Sequence, residues 1–418
     1  MIAASAQRRG DGVWLASICL SRFLMALVFT SYAAVLPVLQ REWDMSAAVA
    51  GSVASAFQIG YAISLVGWNV LADRIGARPV FLWSSLAGAP AAMAFALFSN
   101  GPLSAALLYG LTALMIGGNY TPGLILLAER FPAVTRGRAT GFFLAATSVG
   151  YAASLFLSGA VLARWSWRAA LVAASLGPVV AAGMAAWAVR DMPTRIHPRA
   201  PGQGFGSEVL KNPGALLLMA AYTFHSWELL GMWAWTPAFL SSALMREGLD
   251  LGRATGGGAR VAALFHVTGF LASSTAGYLS DRFGRTTVIL GMLTVSTACS
   301  FLFGWLIAAP FWVLLLVGLV YGFSSVGDSP VLSVGLTEIV APHVLGSALA
   351  LRSLLGFGAG AIAQWAFGAV LDVTNTGRPY TEWGWAYGLL GLGGAAGLAA
   401  TIWLRRRPES RRLANGLR

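Results

Sequence analysis

The sequence predicts an all-α membrane protein: twelve transmembrane helices in two six-helix bundles, with both termini on the cytoplasmic side. Three observations predict it. The 418 residues are 57% hydrophobic and 11% charged, with a mean hydropathy of +0.69, more apolar surface than a soluble globule of this size can hide. About twelve apolar runs each approach the ~20 residues that carry a helix across ~30 Å of hydrocarbon. The 28 basic residues gather on alternate connections between those runs, which sets an orientation.

The first run, 14–38, follows Arg8 and Arg9. It is far longer than the apolar core of a signal peptide and lacks a convincing cleavage site, so it reads as the first helix. The runs 46–71, 79–98, 103–127, 139–162 and 169–189 follow, divided by short polar connections. Residues 190–212, rich in Pro, Gly and Arg, form the longest polar interruption and read as a cytoplasmic linker. The runs 213–240, 261–279, 287–308, 311–336, 348–371 and 385–404 make the second set. The chain is therefore expected to divide into an N-terminal bundle (1–189), the linker, a C-terminal bundle (213–404) and a basic tail (405–418). Cys19 and Cys299 both fall inside predicted helices, so no disulfide framework is expected.

A net charge of +12 raises the question of a nucleic-acid partner, and the placement of the charges answers it. Most basic residues lie on the N-terminal segment, the even-to-odd connections and the C-terminal tail, the pattern of cytoplasmic loops of an inner-membrane protein. Arg405, Arg406, Arg407, Arg411 and Arg412 suit a topological anchor against anionic lipid headgroups. Membrane lipids, not nucleic acid, are the expected partner of this charge.

The two halves repeat each other. Asp73-Arg74-Ile75-Gly76 after the second run recurs as Asp281-Arg282-Phe283-Gly284 after the eighth, and Pro122 and Pro330 are offset by the same interval. Trp165-Ser166-Trp167 is echoed by Trp383-Gly384-Trp385. Same-orientation repeats of six helices let two bundles rock about a site near the membrane midplane.

Asp73, Arg74, Gly76 and Arg78, with Gly277, Asp281, Arg282, Gly284 and Arg285, resemble both copies of the signature loop of the major facilitator superfamily, and the resemblance covers essentially the whole chain. The first copy departs from the pattern at Asn69, where Gly is usual, and at Ala77, where a basic residue is usual. The resemblance implies a secondary transporter working by alternating access, one chain per pathway, without a cofactor. It implies that Asp73 faces the start of the eleventh helix, near Gly346 to Arg352, and that Asp281 faces the start of the fifth, near Gly137 and Arg138. Glu129 and Glu338, which end the fourth and tenth helices, are similar to the family's acidic partners for the loop arginines. A carboxylate in such a loop can hold the positive end of a helix from the other bundle, so these residues and Arg352 are the candidate gate.

Ionisable groups within hydrocarbon are costly, so those that persist are candidates for solute binding or coupling. They are Arg22 in the first run, His225 and Glu228 in the seventh and Asp328 in the tenth, with Asn119 and Tyr120 in the fourth. In the family resembled, those four helices line the central cavity. His225 and Glu228, three residues apart, share a helix face with Tyr222 one turn before, and such a pair can exchange a proton or tie helices together. Arg22 offers a planar fork of donors matched to a carboxylate, so it reads as an anion ligand or as a partner of Asp328 or Glu228. The leading expectation is a small organic anion carried with protons. Drug efflux is the alternative, weakened because Ala113 and Leu114 precede Gly117-Gly118 where an Arg marks efflux branches and Tyr151 follows Gly150 where a Pro does. Trp165-Ser166-Trp167-Arg168 is slightly closer to organic-anion and cyanate-type uptake branches. An intramembrane enzyme lacks its motifs here: Ser325-Val326-Gly327-Asp328 misses the G-x-G-D pattern, and no metal-ligand cluster is present. A non-transporting sensor usually carries an output domain longer than this linker or tail.

Overall fold

The computed structural model describes residues 2–196 and 209–417, and the regular elements among them are helical. Residues 197–208 of the expected linker lie outside the described residues. The first half holds α1 (Ile2–Ala26), α2 (Ser31–Glu42), α3 (Ala47–Ile75), α4 (Ala77–Phe98), α5 (Pro102–Ile116), α6 (Thr121–Arg130), α7 (Ala133–Leu162) and α8 (Trp167–Val189). The second holds α9 (Pro213–Arg246), α10 (Leu251–Phe283), α11 (Arg285–Phe303), α12 (Phe311–Ile339), α13 (Pro342–Thr374) and α14 (Gly384–Arg406). A 3₁₀ segment, Pro408–Gly416, follows. Among the described residues ten helical stretches are long and apolar enough to cross a membrane, α1 with α2 and α5 with α6 each making one. At 34 and 33 residues, α9 and α10 have the length. His225 and Glu228 in one, and the Gly- and Arg-rich first turns of the other, lower their apolarity.

Two runs read as continuous helices, 14–38 and 103–127, are broken. In the first, a turn at 27–30 separates α1 from α2. The carbonyl oxygens released there are met by hydroxyls: Tyr109 Oη donates to Phe29 O at 2.6 Å and Ser31 Oγ to Val28 O at 2.9 Å. In the second, a 3₁₀ turn at Gly117–Asn119 precedes Pro122, which has no N–H to continue the ladder. Ser64 Oγ and Trp68 Nε1 donate to Leu114 O at 2.8 and 2.9 Å, and Ser84 Oγ to Met115 O at 2.6 Å. Broken helices are tolerable in hydrocarbon only with such partners.

Glycine decides where the halves touch. A Cβ on Gly51 (α3) would stand 2.4 Å from the carbonyl oxygen of Gln364 (α13), and one on Gly368 (α13) 2.2 Å from that of Ala47 (α3). A Cβ on Gly159 (α7) would stand 2.6 Å from Gly256 O on α10, so the backbones at both seams lie almost in contact. Polar contacts lock the same end. Asp372, near the end of α13, accepts hydrogen bonds from Ala47 N (2.7 Å) and Ala48 N (2.8 Å), capping α3 from the opposite half. Arg378 donates to Gln40 O at 2.8 Å and also reaches Met45 O.

The buried apolar residues follow the same asymmetry. One core draws on both halves, from Met25 and Phe57 through Trp235, Phe303 and Phe367. A second belongs wholly to the C-terminal half, around Leu218, Ile289 and Leu336. A third belongs wholly to the N-terminal half, around Trp14, Phe81 and Phe143. The molecule is sealed at the end carrying Trp43 and Asp372, and its core divides in two at the end carrying the termini.

Candidate functional site

Arg22 sits in α1, 4% exposed, below the turn that ends that helix. Its Nε donates to Thr147 Oγ1 on α7 at 2.8 Å, and its Nη1 lies 3.4 Å from Asn119 Oδ1 in the 3₁₀ turn. Asn119 is held in turn by donating to Ser85 Oγ at 2.9 Å. The guanidinium lies 5.1 Å from the Tyr120 ring centre and 5.9 Å from that of Phe143. These partners are neutral: among the described residues no carboxylate pairs with Arg22, and the expected partners Asp328 and Glu228 are engaged elsewhere.

Tyr120 also lies within electrostatic range of Arg352, Tyr61 and Tyr222, which brings cations from both halves towards one point. Arg352 (α13) donates to Ser333 Oγ at 2.6 Å and stacks 4.1 Å over the Tyr222 ring. Between these cations and the sealed end runs an aromatic wall from both halves. Phe29 contacts Tyr61 and Tyr151 with ring centres 5.6 and 4.4 Å apart; Tyr61 meets Phe357 at 5.1 Å; Tyr151 meets Trp233 at 5.5 Å. Trp233 in turn packs on His266 at 4.6 Å.

Asp328 and Glu228 of the C-terminal half sit in two buried arrangements. His225 Nδ1 lies 2.8 Å from Asp328 Oδ1, joining α9 to α12. Glu228, three residues on, turns to α11: its Oε1 accepts from Ser300 Oγ at 2.7 Å and its Oε2 from Ser296 Oγ at 3.3 Å. Ser300 also bonds the Tyr321 hydroxyl at 2.5 Å. His225 and Glu228 thus share a helix but answer to different neighbours. Tyr222 links the two regions, its ring 5.6 Å from that of His225 and under Arg352.

The signature loops turn through Gly76 and Gly284, both at φ +92°, a conformation that glycine adopts without a Cβ penalty. Their side chains differ between copies. Arg285 bonds Asp281 at 2.5 Å and Glu338 at 2.8 Å, and Glu338 also accepts from Ala414 N of the tail at 2.9 Å. Arg78 instead donates to the carbonyl oxygens of Val189 (2.8 Å) and Arg190 (2.9 Å), closing off the end of α8. Asp73 and Glu129 are half-buried and engaged. Arg74 and Arg282 are exposed, as are Gly137 and Arg138 at the start of α7. Of the segment expected to face Asp73, Gly346 is exposed and Arg352 half-buried.

Sequence reasoning did not single out Tyr61, Thr147, Ser296, Ser300, Phe357 or Asp372. Hydroxyl and aromatic side chains are common in membrane helices, and nothing in their spacing shows that Thr147 meets Arg22, that Ser296 and Ser300 meet Glu228, or that Tyr61 meets Phe357; Asp372 stands at the end of its apolar run, where a solvated charge is ordinary.

Two helical halves share a core at one end and part at the other, an arrangement also met in solute carriers. The model of the Major Facilitator Superfamily matches residues 18–259 and again 237–417, and the chain belongs to that family of transporters. It is 24% identical over 284 residues to a gallate transporter of Pseudomonas putida, covering 61% of this chain and 62% of that one. It is 27% identical over 160 residues to a 4-hydroxybenzoate transporter of the same organism, covering 38% of this chain and 36% of that one. The matches thus span less than two thirds of either relative. Among solved structures, the nucleoside transporter NupG superposes with a TM-score of 0.72 at 16% identity, over 94% of this chain and 99% of that one, a likeness of fold. The chain is a multi-pass membrane protein of a transporter family, not an enzyme.

Proposed function

We propose that this protein is a secondary active transporter that carries a small aromatic carboxylate across the inner membrane by alternating access, coupled to protons. One observation carries the reading: a buried arginine, held by neutral partners and walled by aromatic rings, has no carboxylate beside it among the described residues. Burying an unpaired guanidinium is costly, and an anionic ligand offsets that cost only when bound. The fork of donors matches a carboxylate, and the rings of Phe29, Tyr61 and Tyr151 match a flat apolar body. The named substrates of the gallate and 4-hydroxybenzoate relatives are of this chemistry.

On this reading α9 and α10 also cross the membrane, giving twelve passes, six in each bundle on either side of the 190–212 linker. The basic loops and tail support a cytoplasmic position for both termini. The divided end then faces the cytoplasm, so the conformation is inward-facing, and one chain provides a complete pathway. Asp328 with His225, and Glu228 with its serines, are the proton-carrying groups. Protonation there changes the charge beside Tyr222 and Arg352, next to the solute, which is how coupling reaches the site. The signature loops, with Arg78, Arg285, Glu338 and Asp73, hold the inner ends when that face closes.

The test is uptake of radiolabelled 4-hydroxybenzoate into proteoliposomes under an imposed pH gradient. Wild type accumulates the label, Arg22→Ala abolishes accumulation, and Arg22→Lys raises the half-saturating concentration roughly tenfold or more, because a point charge replaces a bidentate fork. Unchanged uptake in Arg22→Ala overturns the assignment.

A further inference from the structure

On the sealed side of the aromatic wall lies a small cavity between the two halves, lined by Phe29 and Phe57 from one and Trp233 from the other. Two glutamines also face it, Gln58 of α3 and Gln364 of α13. Both are deeply buried, at 5% and 3% exposure. The Oε1 atom of each is enclosed and has no hydrogen-bond partner among the described residues. Gln364 is held in place, since its Nε2 donates to Leu230 O at 3.0 Å, so its Oε1 is the free end of a fixed amide. Buried amide oxygens without partners are costly, and two glutamines that carry them line one cavity from opposite halves, which marks a place where a donor belongs.

Gln58 lies three residues, about one helical turn, from Tyr61 on the unbroken helix α3, and the Tyr61 ring packs on Phe29 of the cavity wall at 5.6 Å. The glutamines therefore stand about one turn beyond the rings that adjoin the arginine. We propose that Gln58 and Gln364 form a hydroxyl-recognition subsite: a solute whose carboxylate lies on Arg22 places a ring hydroxyl between the two amides. The hydroxyl donates its proton to one Oε1, and its oxygen can accept from the Gln58 amide nitrogen, a match that neither an unsubstituted ring nor a methyl ether provides. This rests on the aromatic-carboxylate reading above and adds to it the feature that separates hydroxylated from plain benzoates. Because the two amides come from opposite halves, the same contact draws the seam between α3 and α13 together, so a bound hydroxyl favours the outward-sealed conformation.

The experiment is equilibrium binding of benzoate, 4-hydroxybenzoate and 4-methoxybenzoate to the detergent-purified full chain, in wild type, Gln58→Leu and Arg22→Ala. A pocket that hydrogen-bonds a hydroxyl discriminates strongly against analogues lacking it, so wild type is expected to bind 4-hydroxybenzoate roughly tenfold or more tighter than the other two. Gln58→Leu is expected to bring the three affinities together while leaving benzoate within about threefold of wild type. Equal affinities in wild type overturn the subsite. So does a hydroxyl preference that survives Gln58→Leu. Should that variant not fold, the wild-type comparison of hydroxyl with methoxy still decides. Binding that depends on Arg22 but ignores the hydroxyl removes the subsite alone; absence of binding by every benzoate removes both the subsite and the transport reading on which it rests.

Discussion

Replacing Asp372 by alanine tests whether the sealed end is held by specific bonds or by apolar contact alone. The Asp372 carboxylate accepts from two backbone N–H groups at the first turn of α3, at 2.7 and 2.8 Å, across the boundary between the halves. Hydrogen bonds to a charged group contribute about 1.5–3 kcal/mol each when desolvated, and the helix dipole adds ~0.3–1 kcal/mol. Asp372 is only half-buried, so solvent reduces the total to about 2 kcal/mol. Those bonds exist only while this end is closed. Their loss therefore shifts the balance between sealed and open conformations by roughly 30-fold, since ~1.4 kcal/mol is a factor of ten. Pulsed electron spin resonance between labels at Arg164 and Glu247, exposed at the rim of opposite halves, reads that balance as distances. Asp372→Ala is expected to raise a longer-distance population, with Asp372→Asn between it and wild type because one acceptor oxygen remains. A distance distribution identical to wild type in Asp372→Ala would refute the latch.

Glu228→Gln keeps the size and one acceptor oxygen, for Ser300, and turns a donor towards Ser296, but cannot ionise; it is expected to lose uphill accumulation while retaining solute counterflow, and pH-driven accumulation in that variant removes Glu228 from coupling. Gly51→Ala forces a Cβ against Gln364 O, which would lie at 2.4 Å, and neither backbone can yield; transport is expected to fall about tenfold, with the labels above moving apart, and normal uptake would show that the seam tolerates the methyl. Leu413→Ala removes a fully buried side chain that docks the tail beside Leu218 and Gly335, and is expected to cost about 2 kcal/mol, the low end for a core Leu→Ala change. Thermal unfolding followed by tryptophan fluorescence should then show a lower Tm, whereas an unchanged Tm would mean that the tail is not docked in solution.

Much of the fold was legible in the sequence because its cause is local. Hydropathy depends on residue type alone, so the apolar runs were visible without knowing any contact. The duplicated Asp-Arg-x-Gly loops were visible because both copies meet the same turn requirement, met by Gly76 and Gly284 at φ +92°. The breaks in the first and fourth runs were less visible. The turn at 27–30 has no residue that must end a helix, and at 117–119 only the nearby Pro122 hints at one; each break persists because Tyr109, Ser64, Trp68 and Ser84, distant in sequence, bond the freed carbonyls. The tail, read as a lipid anchor by its arginines, also carries Leu413 into the core and Ala414 N onto Glu338.

By itself the sequence determined that this is a membrane protein of two repeated halves with a few ionisable groups on the helices between them. Composition, run length and repetition are properties of the chain. Only the tertiary structure decided the pairings: that His225 meets Asp328 while Glu228 meets Ser300, that Arg22 has neutral partners among the described residues, and that Gln58 and Gln364, each with an unpaired Oε1, line one cavity. A helix advances about 100° with each residue, so the neighbour a side chain meets is set by which other helix stands at that angle. That is fixed by the glycine seams and capped ends that pack the halves together.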